Sequence, residues 1–152
     1  MTALQFRLAT EADIPSMSKI RIAVTENVLS NPALVTQQMY LDYLEKLGCG
    51  WVCEQDGEII GFSYAAKEDS SIWALFVQPG KEGLGAAKVL LQLAVDYLFA
   101  LGNEEVKLGT QANTRADRFY GMQGWQRGEM KNSVEVSYTL RRNAIPTEAG
   151  AV

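Results

Sequence analysis

Histidine is absent from this 152-residue chain. Every mechanism that runs on an imidazole is therefore excluded, the Ser-His-Asp triad among them. Cysteine is scarce. Cys49 and Cys53 stand in "CGWVC", which is not a C-x-x-C spacing, and no histidine is present to complete a zinc set. Two free thiols is the plain reading, and no metal site is expected. No apolar run approaches the roughly 18 residues that span a bilayer. "MTALQFRLATEAD" lacks the apolar core of a signal peptide, so a cytoplasmic protein is expected. Positive charge is short as well: 14 Lys and Arg against 18 Asp and Glu leave a net charge of −4. Nucleic acid and anionic membranes demand basic patches, so neither is an expected partner. A cationic or neutral substrate suits this balance. Repeats and linkers are missing too. The length suits one domain with a sizeable core, placed at residues 1–142, with "NAIPTEAGAV" (143–152) as a frayed tail.

What is present is a clear alternation of element signals. "LQFRLA" (Leu4–Ala9) alternates as a strand. Thr10 with Asp13 resembles a capping box that opens a helix, whose apolar positions are Ile14, Met17, Ile20, Val24 and Val28. Asn31-Pro32 breaks it. A second amphipathic helix from about Thr36 carries Met39, Tyr40, Tyr43, Leu44 and Leu47, and Gly48 is its expected stop. Three strands follow in "GWVCEQ", "DGEIIGFSYAAKE" and "SSIWALFV", with Asp56-Gly57 as a hairpin turn and Asp69-Ser70-Ser71 as the next. "GAAKVLLQLAVDYLFALG" is a long helix with Ala87, Leu90, Leu91, Ala94, Leu98 and Leu101 along one stripe, ended by Gly102. "EEVKLGTQ" is a strand, "TRADRFYGMQG" a short helix, and "WQRGEM" with "VEVSYTLRR" a closing hairpin. Strand, crossover helix and strand around Ile72–Gln111 imply one parallel pair in an otherwise antiparallel α/β sheet, covered by helices.

Between the third of those strands and the long helix lies "QPGKEGLGAAKVLL". A helix that begins in a glycine turn offers unpaired N–H groups and the positive end of its dipole, which together bind anions. The same glycines serve equally as a tight strand-to-helix turn. Two familiar phosphate loops are excluded by spacing. After Gly80 and Gly85 stand Ala86-Ala87, where a P-loop needs Lys and Ser or Thr; after Gly83 and Gly85, Lys88 takes the third glycine's place of a dinucleotide fingerprint.

The loop also resembles motif A of the GCN5-related N-acetyltransferase superfamily, roughly V-x-P-x-x-[RQ]-G-x-G-[IV]-[GA] followed by x-x-L-L. Val77, Pro79, Gly83, Gly85, Ala87, Leu90 and Leu91 match without a gap. "NTRADRFYGMQGW" resembles the second signature through Asn113, Ala116, Phe119, Tyr120, Gly124 and Trp125. "ATEADIP" is similar to the family's entry into its first helix, and the element order is the family's order. The resemblance implies a central, mixed, mostly antiparallel sheet of about seven strands, with parallel strands four and five splayed apart. It implies acetyl-CoA as co-substrate, with its pyrophosphate on the N–H groups of Glu82, Gly83, Leu84, Gly85, Ala86 and Ala87. Its pantetheine arm would lie along Phe76 and Val77. Asn113 would help to hold it, and Tyr120 would face the sulfur. Two departures stand out: Glu82 in place of Arg or Gln, and Ala86 in place of Ile or Val. Lys81 and Lys88 flank the loop and can supply the missing positive field.

The resemblance implies acetyl transfer to an amine. That chemistry needs a neutral amine, a stabilised oxyanion and a stabilised thiolate. Val77 N–H is the candidate oxyanion donor, Tyr120 the candidate acid, and Glu26 the candidate for binding or deprotonating the acceptor. Glu54 is a weaker carboxylate. Tyr120 is equally a core aromatic with Ala116 and Phe119, and Glu26 equally a solvated helix residue. Trp73 and Tyr64 either line an acceptor pocket or pack the sheet, and Arg21 either meets a substrate carboxylate or lies on the surface. The expected acceptor is a small or amino-acid-like amine. A non-catalytic acyl-CoA sensor and a protein N-acetyltransferase are the alternatives. The closing hairpin "VEVSYTLRR" offers a surface for a second copy, so a homodimer is a candidate assembly.

Overall fold

The chain is ordered around a single sheet of seven strands in a computed structural model that describes residues 3–24 and 37–142. In chain order the elements are β1 (Gln5–Leu8), α1 (Ile14–Ala23), α2 (Gln37–Glu45), β2 (Gly48–Gln55), β3 (Glu58–Ala66) and β4 (Ser71–Val77). Then come α3 (Ala86–Ala100), β5 (Glu105–Gln111), α4 (Arg115–Met122), β6 (Gln126–Met130) and β7 (Glu135–Arg141). The strands lie in the order β1-β2-β3-β4-β5-β7-β6, and only β4 and β5 run parallel. This is the mixed, mostly antiparallel α/β architecture that the element pattern implied.

Turn chemistry sets the meander. Asp56 and Gly57 both take positive φ, 55° and 79°, as the twist of a two-residue hairpin requires. The helices divide between the two faces. Leu90, Leu91, Ala94, Val95 and Leu98 of α3 pack with Trp51, Ile60, Val106 and Leu108 on one face, and Tyr120 and Trp125 complete that core. Ile14, Met17 and Ile20 of α1 and Tyr40 of α2 pack on Val52, Phe62, Tyr64 and Ala74 across the other. The α3 stripe runs slightly differently from the sequence expectation. Ala86 is buried, Ala87 is half-buried, and Leu101 is 53% exposed beyond the last turn.

One expectation needs correction. Gly48 does not cap α2; it is the first residue of β2 and has no positive φ. Its glycine is required for another reason, since a Cβ there would lie 1.7 Å from the carbonyl oxygen of Ala65. In the closing hairpin β7 lies between β5 and β6, so β6 forms that edge of the sheet.

The feature that positions the site is the gap between β4 and β5. Their only registered pair is Ser71 with Lys107, and Lys107 N–H donates to Ser70 O at 2.9 Å. Beyond that point the two strands diverge and leave a V in the sheet. A bulge adds to it. Ile72 pairs with Ala65 and Ala74 with Tyr64, so Trp73 is the extra residue on β4. Bulges of this kind re-aim a side chain and twist the strand.

Candidate active site

A cavity of about 450 Å³ opens at the wide end of the V, chiefly on the α3/α4 side, with Val24 at the end of α1 and Phe76 reaching it from the other face. The end of β4, the glycine loop, the start of α3 and the face of α4 bound it.

The loop supplies the first wall. Gly83 and Gly85 have φ of 85° and 91°, and no atom lies within 4 Å of where a Cβ would stand on either. That open left-handed turn presents backbone to the cavity as only glycine does without strain. α3 starts directly at Ala86, so its first N–H groups are unpaired within the helix and its dipole is positive there. A group with negative phosphate oxygens fits this wall. Gly83, Gly85, Ala86, Ala87 and Lys88 line the cavity, as does Glu82; Leu84 does not, and is 48% exposed.

Glu82 is turned back onto its own loop. Its Oε1 accepts from Gly80 N–H at 2.9 Å, and Oε2 lies 3.4 Å from Arg115 of α4. Loop N–H groups, its own first, and the Arg115 charge hold this carboxyl below its usual pKa. Lys81 and Lys88 both line the cavity, with Lys81 donating to Gln55 Oε1 at 2.9 Å. The sequence reading singled out these two lysines and overlooked Arg115, the third cation of the lining.

The second wall is β4. Gln78 N–H donates to Ile60 O at 2.7 Å. Antiparallel pairs alternate between bonded and non-bonded, and Phe76 pairs with Phe62. Phe76 therefore turns its N–H and C=O toward β3, while Leu75 and Val77 turn theirs into the V. The unpaired donors that face the cavity are thus Leu75 and Val77, a parity that strand periodicity alone did not supply.

Tyr120 forms the back wall. It is 6% exposed, lines the cavity, and packs edge-on against Phe119 and Trp125, with Tyr138 5.7 Å away. Burial alone pushes its phenol well above the ordinary tyrosine value, so it is held protonated. Its helix is anchored by Asp117, one turn earlier. That carboxylate accepts from Arg127 at 3.0 and 3.1 Å, from Asn113 N–H at 2.7 Å and from the Tyr138 hydroxyl. The Arg127 guanidinium and these donors hold Asp117 far below the usual carboxylate range. Asn113 is exposed, has φ of 65°, and is outside the cavity lining; its backbone serves the start of α4. The sequence missed Asp117, Arg127 and Tyr138, although Thr114-x-x-Asp117 repeats the spacing that marked Thr10-x-x-Asp13.

Other candidates are dispersed. Glu26 lies outside the described residues, as does the Asn31-Pro32 break. Glu54 accepts two bonds from Arg7, at 2.7 and 2.9 Å, and is absent from the cavity lining. Arg21 stacks over Phe76 at 5.4 Å. Cys49 and Cys53 are free thiols, and burial raises Cys53 to about 11. No described helix is long and apolar enough to cross a membrane.

Residues 17–125 match the model of the acetyltransferase (GNAT) family. The chain belongs to that family. Solved structures share its fold. A putative acetyltransferase, YncA, from Salmonella typhimurium, determined with acetyl-CoA, is 17% identical over 91% of this chain and 94% of its own, with a TM-score of 0.75. The PaiA N-acetyltransferase from Thermoplasma acidophilum, in complex with coenzyme A, is 14% identical over 91% of this chain and 99% of its own, with a TM-score of 0.76. A ribosomal-protein-alanine N-acetyltransferase from Brucella melitensis is 16% identical over 90% of this chain and 99% of its own, at 0.69. At such identities the likeness is one of fold. Comparison with curated protein sequences gives no match.

Proposed function

We propose that this GNAT protein transfers the acetyl group of acetyl-CoA to the primary amine of a small or amino-acid-like acceptor, by direct attack in a ternary complex. One observation carries the reading: a single cavity joins a glycine-turn anion cradle, two unpaired N–H donors of β4 and a buried, protonated tyrosine.

Each wall has a task. The N–H groups of Gly83, Gly85, Ala86 and Ala87 hold the pyrophosphate, with Lys81, Lys88 and Arg115 supplying the surrounding positive field. Bound acetyl-CoA supplies the activated thioester. Val77 N–H, with Leu75 N–H as its neighbour in the V, donates to the carbonyl oxygen, which turns negative as the amine attacks. Donors already fixed in a strand stabilise that charge without reorganising. The amine nitrogen forms a bond to the acetyl carbon, the C–S bond breaks, and the departing sulfur takes the Tyr120 proton. Tyr120 is restored from solvent, where the amine's surplus proton goes. The absence of histidine leaves the amine to lose its proton through water or a carboxylate, and Glu26 is the proposed candidate.

The test is thiol release from acetyl-CoA by purified protein across a panel of small amines and peptides. Amine-dependent release with stoichiometric N-acetyl product is expected. Saturable acetyl-CoA binding with no release on any acceptor would replace this reading with that of an acyl-CoA sensor.

A further inference from the structure

A second cavity, of about 400 Å³, lies at the narrow end of the same V. Its orientation follows from the strands. Val106 and Leu108 of β5 are buried under α3, so Lys107 and Gly109 between them point to the opposite face. Trp73 belongs to that opposite face as well, packed with Tyr64 and stacked on Tyr43 at 4.5 Å. The first cavity is bounded mainly by α3 and α4, with Val24 and Phe76 reaching it from the other face, and the second lies on that other face, which α1 and α2 cover over β2–β4. The V thus has a cavity at each end.

The second cavity has a distinct chemistry. One wall is the bulged Trp73 and another is the side chain of Lys131 from beyond β6. Its floor is Gly109, where a Cβ would stand 2.8 Å from Lys131 Nζ, so only glycine lets that lysine lie across the strand. Lys107 stands beside it. Among the described residues neither lysine has a carboxylate within 4 Å. Two carboxylates are near. Asp69 lines the cavity and is bonded to the Ser71 hydroxyl at 2.6 Å, and Glu135 Oε1 would be 3.4 Å from a Gly109 Cβ. Among the described residues the site therefore offers two unpaired ammonium groups, an aromatic wall, and carboxylates at its rim.

We propose that this second cavity is the acceptor site, and that it takes an amine which also carries an anionic group, a carboxylate or a phosphate. The inference rests on the acetyltransfer reading and narrows its substrate. Lys107 and Lys131 bind the anion, and Trp73 covers the chain between anion and amine. The amine points along the V toward Leu75, two residues beyond Trp73, about 7 Å at 3.3 Å per residue. That distance selects an amine separated from its anionic group by a few bonds.

Matched amines test this. ω-Amino acids and aminoalkyl phosphates are compared with amino alcohols of equal length, in wild type and in Lys107→Met and Lys131→Met. The expected result is a KM for the anionic amines at least tenfold below that of the alcohols. Each substitution should raise the former about tenfold and leave the latter within twofold. The carboxylate and phosphate arms distinguish the two sources of the anion. A second measurement needs no turnover: calorimetric titration of the amino acid into protein saturated with coenzyme A, where both variants should weaken binding about tenfold. Equal KM for acids and alcohols, preference for basic peptides, or lysine variants without effect would overturn the proposal while acetyl-CoA turnover leaves the acetyltransfer reading standing. Failure of wild-type protein to bind acetyl-CoA would overturn both.

Discussion

Two turns in this molecule use one device. Thr10-x-x-Asp13 opens the first helical segment and Thr114-x-x-Asp117 opens α4. In each, a buried aspartate accepts from a backbone N–H at the turn, that of Thr10 at 2.8 Å and that of Asn113 at 2.7 Å. In each, an arginine from a neighbouring strand closes the arrangement, Arg7 onto Asp13 at 2.8 and 2.9 Å and Arg127 onto Asp117. What differs is what the turn carries. Asp13 and Glu54 share Arg7, so that network ties β1, β2 and the first helix together away from the cavity lining. Asp117 also takes the Tyr138 hydroxyl, and its helix presents Arg115, Phe119 and Tyr120 to the cavity. The same local physics serves stability in one place and positions the proposed proton donor in the other.

The largest effect should come from the residue that the second turn positions. Tyr120→Phe keeps the ring in its core of Phe119, Trp125 and Tyr138 and removes the proton donor. Turnover should fall roughly 100-fold with KM little changed, as general acids contribute 10²–10⁴; stopped thiol-release assays measure it. A loss below about threefold would take Tyr120 out of the acid role and reduce the second turn to a structural one.

Asp117→Asn and Asp13→Asn come next and compare the turns directly. Each removes a charge-assisted network at constant shape, and each should lower unfolding free energy by about 1–3 kcal/mol in urea titration. Only Asp117→Asn should also lower kcat, about tenfold, with acetyl-CoA KM within twofold. Asp13→Asn should leave kcat within twofold. Equal kcat in the two variants would show that α4 needs no help from Asp117 to hold Tyr120.

Those two turns also show what was legible in the sequence. The first was recognised because it precedes an apolar helix pattern, which gives Thr-x-x-Asp a meaning. The second precedes "RADRFYGM", where charged and aromatic residues mix, and there the same spacing passed unnoticed. Element order, hairpins and the parallel pair were legible because glycines, turn dipeptides and periodicity act locally. The glycine loop was legible for the same reason. Partners from distant strands were not: Arg127 and Tyr138 reach Asp117 only after β6 and β7 fold back. The parity of β4, which frees Leu75 and Val77 rather than Phe76, depends on its register with β3, and no single strand encodes that. Gly48 was misassigned because a helix stop and a close strand contact both call for glycine.

Acid titration gives a smaller, shared effect. Both aspartates have pKa values lowered in the folded state, chiefly by their arginine partners. The unfolded chain therefore binds protons that the folded chain refuses. The stabilisation is complete above the ordinary carboxylate value of about 3.9 and is lost as pH falls through the lowered values. The urea midpoint should stay level with respect to these groups from pH 7 to 5 and decline below about pH 4. Either Asn variant should decline less steeply there. If Asp117→Asn alone flattened the curve, the Asp13 network would contribute nothing to acid stability.

The smallest effect concerns the tie from the α4 turn to the glycine loop. Arg115, beside the Thr114 cap, reaches forward to Glu82 on the glycine loop. Both side chains are substantially exposed, so the pair contributes at most about 1 kcal/mol. Glu82→Gln keeps an acceptor for Gly80 N–H, removes a negative charge from the phosphate wall and releases Arg115 toward it. Coenzyme A should bind tighter, by a factor of up to about five, since 1 kcal/mol corresponds to that ratio. The gain should shrink at high salt, because exposed charges are screened. Arg115→Met in the same background should abolish it. Calorimetric titration at low and high ionic strength reads both. A Glu82→Gln variant with unchanged affinity at low salt would mean that main-chain N–H groups alone set the phosphate field, and that the bond between loop and α4 is a contact of shape rather than of charge.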